Sequence, residues 1–235
     1  MRTITLACQL VTLISALALA ASARAEVHVI DFGTSSGNVP AACAGSGGAP
    51  KTCSTYNTLL QSYGDIEGLV DVTTHASRGG ALQWFNTGYN DLYGVAFDNV
   101  PSVNAAQWID IVPLNGNVIT LEHFDLGGYF QSQRRNVELD VFAIGSETPL
   151  FSQHGAIGTP GGPVQTGHAS AFDLDLSSAT GIRIQWRDLD NAANTGIDNI
   201  TYSVAAPVPE PADAWMIGAG LAGMGAFVRR SRRRA

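Results

Sequence analysis

The stretch Phe172-Asp-Leu-Asp-Leu176, followed closely by Ile182-Arg-Ile-Gln-Trp186, decides the fold class of this chain. In both segments apolar residues alternate with charged or polar ones, which is a period of two rather than the 3.6 of a helix. A strand with this period buries one row of side chains and exposes the other. We therefore expect two half-buried β-strands here, and Val137-Glu-Leu-Asp-Val141 predicts a third.

The same kind of pattern continues between residues 26 and 207, and no helical pattern of ten or more residues interrupts it there. Clusters of Gly, Asn, Pro and Asp separate the segments, and Asn115-Gly116 is a typical hairpin turn because both residues accept positive φ. About ten short strands predict an all-β, two-sheet antiparallel sandwich, with a jelly roll as the expected topology and an up-and-down barrel as the alternative. The further predicted strands are 27–32, 69–74, 82–85, 93–97, 108–112, 118–126 and 197–204.

The first 25 residues have the features of a secretory signal peptide. Arg2 supplies a positive charge, residues 4–21 form an apolar run, and Ala23-Arg-Ala25 offers the small side chains that a signal peptidase accepts. We expect a signal helix over residues 1–25 and cleavage after Ala25, so that the mature chain begins at Glu26. The alternatives are an uncleaved membrane anchor and a buried helix, and the small-residue site favours cleavage.

The C-terminal segment has three parts, which follow a predicted sandwich domain at 26–207, called the body below. Residues 208–213 hold two prolines around a glutamate and predict an extended hinge, because proline continues neither a helix nor a central strand. Residues 214–228 are a Gly- and Ala-rich apolar run, short for the ~17–25 residues of a typical membrane-spanning helix. Residues 229–235 hold five arginines, which the positive-inside rule keeps in the cytoplasm. We predict a transmembrane helix at 214–228 and a body outside the inner membrane.

This order of hinge, span and arginine cluster resembles the PEP-CTERM sorting signal of exopolysaccharide-producing Gram-negative bacteria, which exosortase membrane proteases process. We call residues 208–235 the tag. The resemblance implies that Pro209, Glu210 and Pro211 are the recognition element, with cleavage near the start of the span. The alternative is a permanent single-span anchor with an accidental proline-rich linker, which Asp213 disfavours because a carboxylate in lipid is costly.

Charge and cysteine content narrow the function classes. The body carries six basic and 18 acidic residues, a formal charge of −12, so its surface repels nucleic acid and nucleic-acid binding is excluded. Cys8 leaves with the signal peptide, whereas Cys43 and Cys53 have nine residues between them, in a loop of small residues. A cysteine pair in an oxidising compartment predicts a disulfide. A redox or metal pair is the alternative, and the lack of a Cys-x-x-Cys motif disfavours it.

No catalytic motif stands out in the sequence. The five histidines form no His-Glu-x-x-His motif, and no Gly-x-Ser-x-Gly elbow occurs. A glycosidase needs two carboxylates that face each other across a cleft. Glu122 with Asp125 and Glu138 with Asp140 are candidates. Glu138 and Asp140 are two residues apart on a predicted strand, so they line the same wet face and do not face each other across a cleft. We therefore expect no enzymatic activity.

The last predicted strand carries a second, shorter resemblance. Gly196-Ile-Asp-Asn-Ile200, close before the tag, is similar to segments of many PEP-CTERM proteins and looks like the closing strand of jelly-roll carbohydrate-binding modules. In such modules a structural ion often joins the first and last strands. The resemblance implies calcium as a possible cofactor, with Asp31, Asp198 and Asn199 as its ligands, because that ion prefers oxygen ligands. The alternative is that these residues brace turns.

A group of aromatic residues around a Gly- and Asn-rich turn is the candidate glycan platform. Trp84, Tyr89 and Tyr93 would stack on the apolar face of a sugar, or alternatively complete the core.

The sequence predicts an exported, non-enzymatic protein that passes through the inner membrane and reaches the cell surface or extracellular matrix. Signal peptidase and exosortase are the expected processing partners, and exopolysaccharide is the candidate ligand. The alternatives are a glycan-active enzyme on the same fold and a protein-binding adhesion module.

Overall fold

A computed structural model of the chain describes residues 25–33, 39–99, 105–129, 135–159, 167–189 and 195–206. Thirteen strands and one short 3-10 turn lie within these ranges. The predicted signal helix and the tag, with Pro209, Glu210 and Pro211, lie outside them. None of the described residues belongs to a helix long and apolar enough to cross a membrane.

The strands confirm the predicted all-β fold, and each of the ten predicted strands overlaps an observed one. In chain order they are β1 (Glu26–Ile30), β2 (Ala42–Ala44), β3 (Pro50–Thr52), β4 (Val70–His75), β5 (Gln83–Phe85), β6 (Val95–Phe97), β7 (Ala106–Pro113), β8 (Val118–Gly128), β9 (Arg135–Ala143), β10 (Pro149–Ile157), β11 (Ser170–Ser178), β12 (Ile182–Asp188) and β13 (Thr195–Ala205). The 3-10 turn, Ser46–Gly48, lies between β2 and β3.

Two large antiparallel sheets contain all strands except β2 and β3, which form a separate hairpin. The first sheet has the order β11–β8–β13–β6–β5, with β1 also paired to β13, and the second has the order β10–β9–β12–β7–β4. Eight of these strands, in the orders β1–β13–β8–β11 and β7–β12–β9–β10, follow the jelly-roll arrangement. β4 extends the second sheet, and β5 and β6 extend the first.

The core lies between the two sheets and is built from alternate residues of their strands. On β12, Ile182, Ile184 and Trp186 are fully buried, whereas the residues between them are partly exposed. The same cluster includes Leu121 and Phe124 of β8 in the first sheet. One wet and one buried row, as on β12, is the arrangement expected of a strand in a sandwich, and it is the arrangement that the period of two predicts.

The sandwich has two ends that carry different parts of the chain. At one end lie the turns 114–117, 144–148 and 179–181, and there Glu26 pairs with Val204. We call this the terminal end, because the body starts and finishes there. At the opposite end, the loop end, β4 connects to β5 and β6 leads toward β7.

The sequence patterns do not predict three of the strands. β10 is an edge strand with mostly exposed residues, so its sequence has no row of buried apolar side chains to reveal it. β2 and β3 are three residues each, too short to show a period.

The predicted disulfide between Cys43 and Cys53 is present and closes the β2–β3 hairpin, with 5.0 Å between the two Cα atoms. Both cysteines are buried in the main core cluster. Cys43 also pairs with Leu59 through an isolated bridge. The disulfide therefore attaches the hairpin, whose β3 residues are exposed, to the core.

Replacing both cysteines with serine should lower the free energy of unfolding by about 2–3 kcal/mol. The disulfide restricts the conformations of the unfolded chain, so its removal raises the entropy of the unfolded state and makes unfolding easier. Urea unfolding of the double variant measures this. Ser46→Ala is the matched control, since Ser46 is exposed in the same loop. A double variant that unfolds at the same urea concentration as this control would contradict the prediction.

Candidate functional site

Two of the three predicted platform residues are core residues. Trp84 is only 3% exposed, and its indole N–H donates to the Phe32 carbonyl oxygen at 2.7 Å. Tyr89 is 1% exposed and its ring packs against that of Phe97. Tyr93 is exposed. The platform prediction is therefore wrong, because a buried ring has no free face on which a sugar can stack.

Asp198 occupies a gap on one edge of β13. That edge pairs with β6 near the start of β13 and with β1 further along, and Asp198 and Asn199 lie between these two pairings. Asp198 is 1% exposed, and its Oδ1 accepts a hydrogen bond from the Phe32 backbone N–H at 2.8 Å. The Asp198 carboxylate thus accepts a backbone N–H, as a backbone carbonyl of a paired strand would do, at a point where neither β6 nor β1 pairs with β13.

The other residues of this gap are held in a similar way. Asp31 Oδ1 accepts a hydrogen bond from the Gly33 N–H at 2.8 Å, and the Tyr63 hydroxyl donates to the Asp31 carbonyl oxygen. Asn199 has a positive φ of 54°, and its amide donates to Asp125 Oδ2 at 2.8 Å. The structure therefore brings Asp31, Asp198 and Asn199 to one region, as the sequence predicts, and adds Tyr63 and Asp125.

The gap changes the acid–base behaviour of two groups. Burial, together with the smaller effect of the charges of Asp31 and Asp125, raises the pKa of Asp198 to about 7. The backbone N–H groups of Phe32 and Asn199 oppose this rise, because they stabilise the carboxylate form. Burial, followed by the charges of Asp31 and Asp198, also raises the pKa of Tyr63 well above its usual range.

The calcium prediction for Asp31, Asp198 and Asn199 rests on the chemistry of their oxygen atoms, which suit this ion. In the structure, one carboxylate oxygen of each aspartate accepts a backbone N–H, so both side chains brace the chain. Their carboxylates do not belong to the group of three potential ligands that converges in the described part of the chain, described below. Calcium binding stays a prediction.

The outer face of the second sheet carries a polar network that the sequence does not reveal. Asp110 is 7% exposed and accepts two hydrogen bonds from the Arg183 guanidinium, at 2.7 and 2.8 Å. His75 Nε2 lies 3.6 Å from Asp110 Oδ2. The ring of Trp108 stacks on that of His75 with 4.8 Å between centroids, and Arg183 Cζ lies 4.9 Å from the Trp108 ring centroid.

These four side chains meet because of the strand register. Arg183 lies opposite Asp110 across β12 and β7, and His75 lies opposite Trp108 across β4 and β7. Trp108 is therefore covered from the strands on both sides, and its buried Nε1 has no hydrogen-bond partner among the described residues. The hydrogen bonds to Asp110 raise the pKa of Arg183, although burial opposes this. The face offers polar contacts rather than a free aromatic surface.

A second cluster lies near the other edge of this face, where Glu138, Asp140 and His154 place potential ligand atoms within 4.8 Å of one another. Arg187 Nε already lies 3.5 Å from Glu138, and the Ser152 hydroxyl donates to Asp140. Asp140 thus accepts a hydrogen bond from the serine directly, whereas in a catalytic triad a histidine lies between the aspartate and the serine. The two carboxylates line one strand face, as their spacing predicts, and do not oppose each other across a cleft.

No protein-family model and no curated protein sequence matches this chain. Solved structures match only distantly. They include the CBM22-1 and GH10 modules of a Clostridium thermocellum xylanase, at 14% identity and a TM-score of 0.30, over 58% of this chain and 25% of that chain. A family 35 carbohydrate-binding module from Clostridium thermocellum matches at 12% identity and a TM-score of 0.30, over 56% of this chain and 97% of the module.

The K1 cleaved adhesin domain of Lys-gingipain from Porphyromonas gingivalis is similar at 12% identity and a TM-score of 0.34, over 58% of this chain and 90% of that domain. This chain spans about a quarter of the xylanase structure that it matches. Likenesses at this level assign neither a family nor a ligand.

The raised pKa of Asp198 predicts a specific loss of stability with rising pH. The folded state holds the proton more tightly than the unfolded state, so the contribution of this group is complete below about pH 4 and is lost as the pH rises through about 7. Asp198→Asn keeps the acceptor oxygen but cannot ionise. Between pH 5 and pH 8, the free energy of unfolding of the wild type should therefore fall, relative to that of this variant, by on the order of a few kcal/mol.

Urea unfolding at the two pH values, with a chelator present, measures this difference. Asp175→Asn is the matched control, because Asp175 is exposed on β11, and its pH dependence should equal that of the wild type. An Asp198→Asn variant with the pH dependence of the wild type would show that Asp198 titrates normally.

The calcium prediction has its own test, at pH 8, where the Asp198 carboxylate is mostly ionised. Calcium ions at about 1 mM, the range of weak extracellular sites, should raise the melting temperature of the wild type above its value in chelator. Asp31→Asn should reduce this shift, and Asp175→Asn should keep it. Equal melting temperatures of the wild type with and without calcium would rule out this ligand set.

Proposed function

We propose that this chain is an exported, non-enzymatic, glycan-associated surface or matrix protein, which signal peptidase and exosortase process at its two ends. The order of Pro209-Glu-Pro211, the apolar run 214–228 and the arginines of 229–235 is the observation that carries the proposal. An isolated tripeptide would not distinguish a sorting signal from a linker. The three parts together resemble the PEP-CTERM signal, and the predicted signal peptide agrees with export.

The extent of the sandwich supports this proposal. β1 begins at Glu26, directly after the predicted signal-peptidase site, and β13 ends at Ala205, shortly before the tripeptide. Processing at both predicted points would therefore leave all thirteen described strands in the mature chain. The disulfide between Cys43 and Cys53 also suits an oxidising compartment outside the cytoplasm.

The chemistry of the described surface supports binding rather than catalysis. Glu138 and Asp140 lie along one strand on an open face, and both already have partners. Polar side chains with hydrogen-bonding capacity line that face, as in the network of Asp110 and Arg183. Such groups can hydrogen-bond the hydroxyls of a glycan, and the acidic charge of the body favours a neutral glycan over an anionic one.

The sorting part of the proposal predicts the fate of a triple variant in which Pro209, Glu210 and Pro211 are all alanine. Without the recognition element, the protein should keep its arginine-rich tail and remain in the inner membrane. Membrane fractionation followed by intact-mass measurement in the native host gives both readouts.

Pro207→Ala is the matched control, since it removes a nearby proline outside the tripeptide, and it should be processed like the wild type. Normal release of the triple variant would mean that the tripeptide is not a recognition element and that the sorting proposal is wrong.

A further inference from the structure

An open cavity of about 320 Å³ lies at the loop end of the sandwich, between the β4–β5 connection and the residues that follow β6. Its volume is at the lower end of the ~300–1,000 Å³ of small-molecule sites. Two glycines and two alanines form part of its wall. The polar lining residues are Thr58, Arg78, Gln83, Asp98 and Asn99.

The cavity wall is fixed by hydrogen bonds that do not involve a ligand. Asp98 is 6% exposed, and its Oδ2 accepts the Ser77 backbone N–H at 2.6 Å. The Ala76 N–H donates to the Gly80 carbonyl oxygen at 2.9 Å, which closes the turn that carries Arg78. Gly80 has a φ of 81°, a left-handed conformation that glycine adopts without strain. The loop is therefore held in shape before any ligand binds.

One buried polar atom at this cavity has no hydrogen-bond partner among the described residues. It is Oε1 of Gln83, which lines the cavity. Buried polar groups in folded proteins are nearly always hydrogen-bonded, because an unpaired one has lost its water without compensation. A ligand that fills the cavity can donate a hydrogen bond to this atom.

The lining chemistry indicates the class of ligand. Arg78 and Asp98 carry opposite charges, so the described part of the lining is neutral and does not favour an ion. None of the described lining side chains is aromatic or a large aliphatic group, which disfavours lipids and aromatic ligands. Carboxylate and amide oxygens accept hydrogen bonds while guanidinium and amide nitrogens donate them. Hydroxyl groups match both kinds, since each can donate and accept.

We infer that this cavity binds one neutral, multiply hydroxylated sugar residue, an inference that rests on the glycan association of the proposed function. Arg78, Gln83 and Asp98 contact its hydroxyls. The cavity lies at the end of the sandwich opposite to Glu26 and Ala205. Sugar binding is therefore independent of how the chain ends are processed.

The test uses the full chain purified in detergent, so that it does not depend on exosortase. Saturation-transfer NMR with glucose, galactose, mannose and N-acetylglucosamine should detect binding of at least one neutral sugar. Arg78→Met and Gln83→Met should each weaken that binding by about tenfold or more. Lys51→Met, which removes a positive charge from the exposed β3 strand, is the matched control and should bind like the wild type.

Gln83→Met gives a second readout, because it removes an unpaired acceptor. Without sugar, its melting temperature should equal or exceed that of the wild type, and only the wild type should be stabilised when sugar is added. Binding of glucuronate in preference to every neutral sugar, wild-type affinity in both cavity variants, or no binding of any sugar would each overturn the inference. The sorting proposal would survive all three, since its readouts are mass and location.

Discussion

The closing strand β13 is paired along both edges, and one of those edges has a gap that the Asp198 side chain fills. β8 covers one edge, while β6 and β1 share the other and leave Asp198 and Asn199 between them. Phe32 reaches this gap directly after β1, and its N–H donates to Asp198 while its carbonyl accepts the Trp84 indole N–H. The first strand, the last strand and the β5–β6 extension are therefore joined around one residue. A jelly roll closes only when its last strand is in place, so this join also completes the fold.

The closure separates the molecule into regions with different chemistry. Glu26 and Val204 pair at the terminal end, so the two predicted processing points flank a complete set of strands. The cavity with Arg78 and Gln83 lies at the loop end. Between the ends, the outer face of the second sheet holds polar networks in which each carboxylate already has a partner. This division is compatible with a protein that is sorted by its tail and binds through its body.

The alternation of apolar and polar residues was sufficient to predict the fold class, because several strands have one buried and one wet row, as in 182–186. It could not predict β10, since an edge strand with exposed residues has no such row. The platform prediction failed at Trp84 and Tyr89 because composition shows that aromatic residues cluster but not which way they face.

The network around Asp110 and the cavity depend on strand register and loop shape, which no local pattern encodes. Asp31, Asp198 and Asn199 were brought together as predicted, because first and last strands are neighbours in a jelly roll.

We propose that the body is an exported domain released from a membrane tag, and the mass of the wild-type protein in its native host tests this most directly. Cell fractionation with intact-mass measurement should find a species that begins at Glu26, ends near Pro211 and lies outside the inner membrane. A species that retains Arg229–Arg234 in the inner membrane would contradict the claim. It would make the protein a tethered domain with no matrix role.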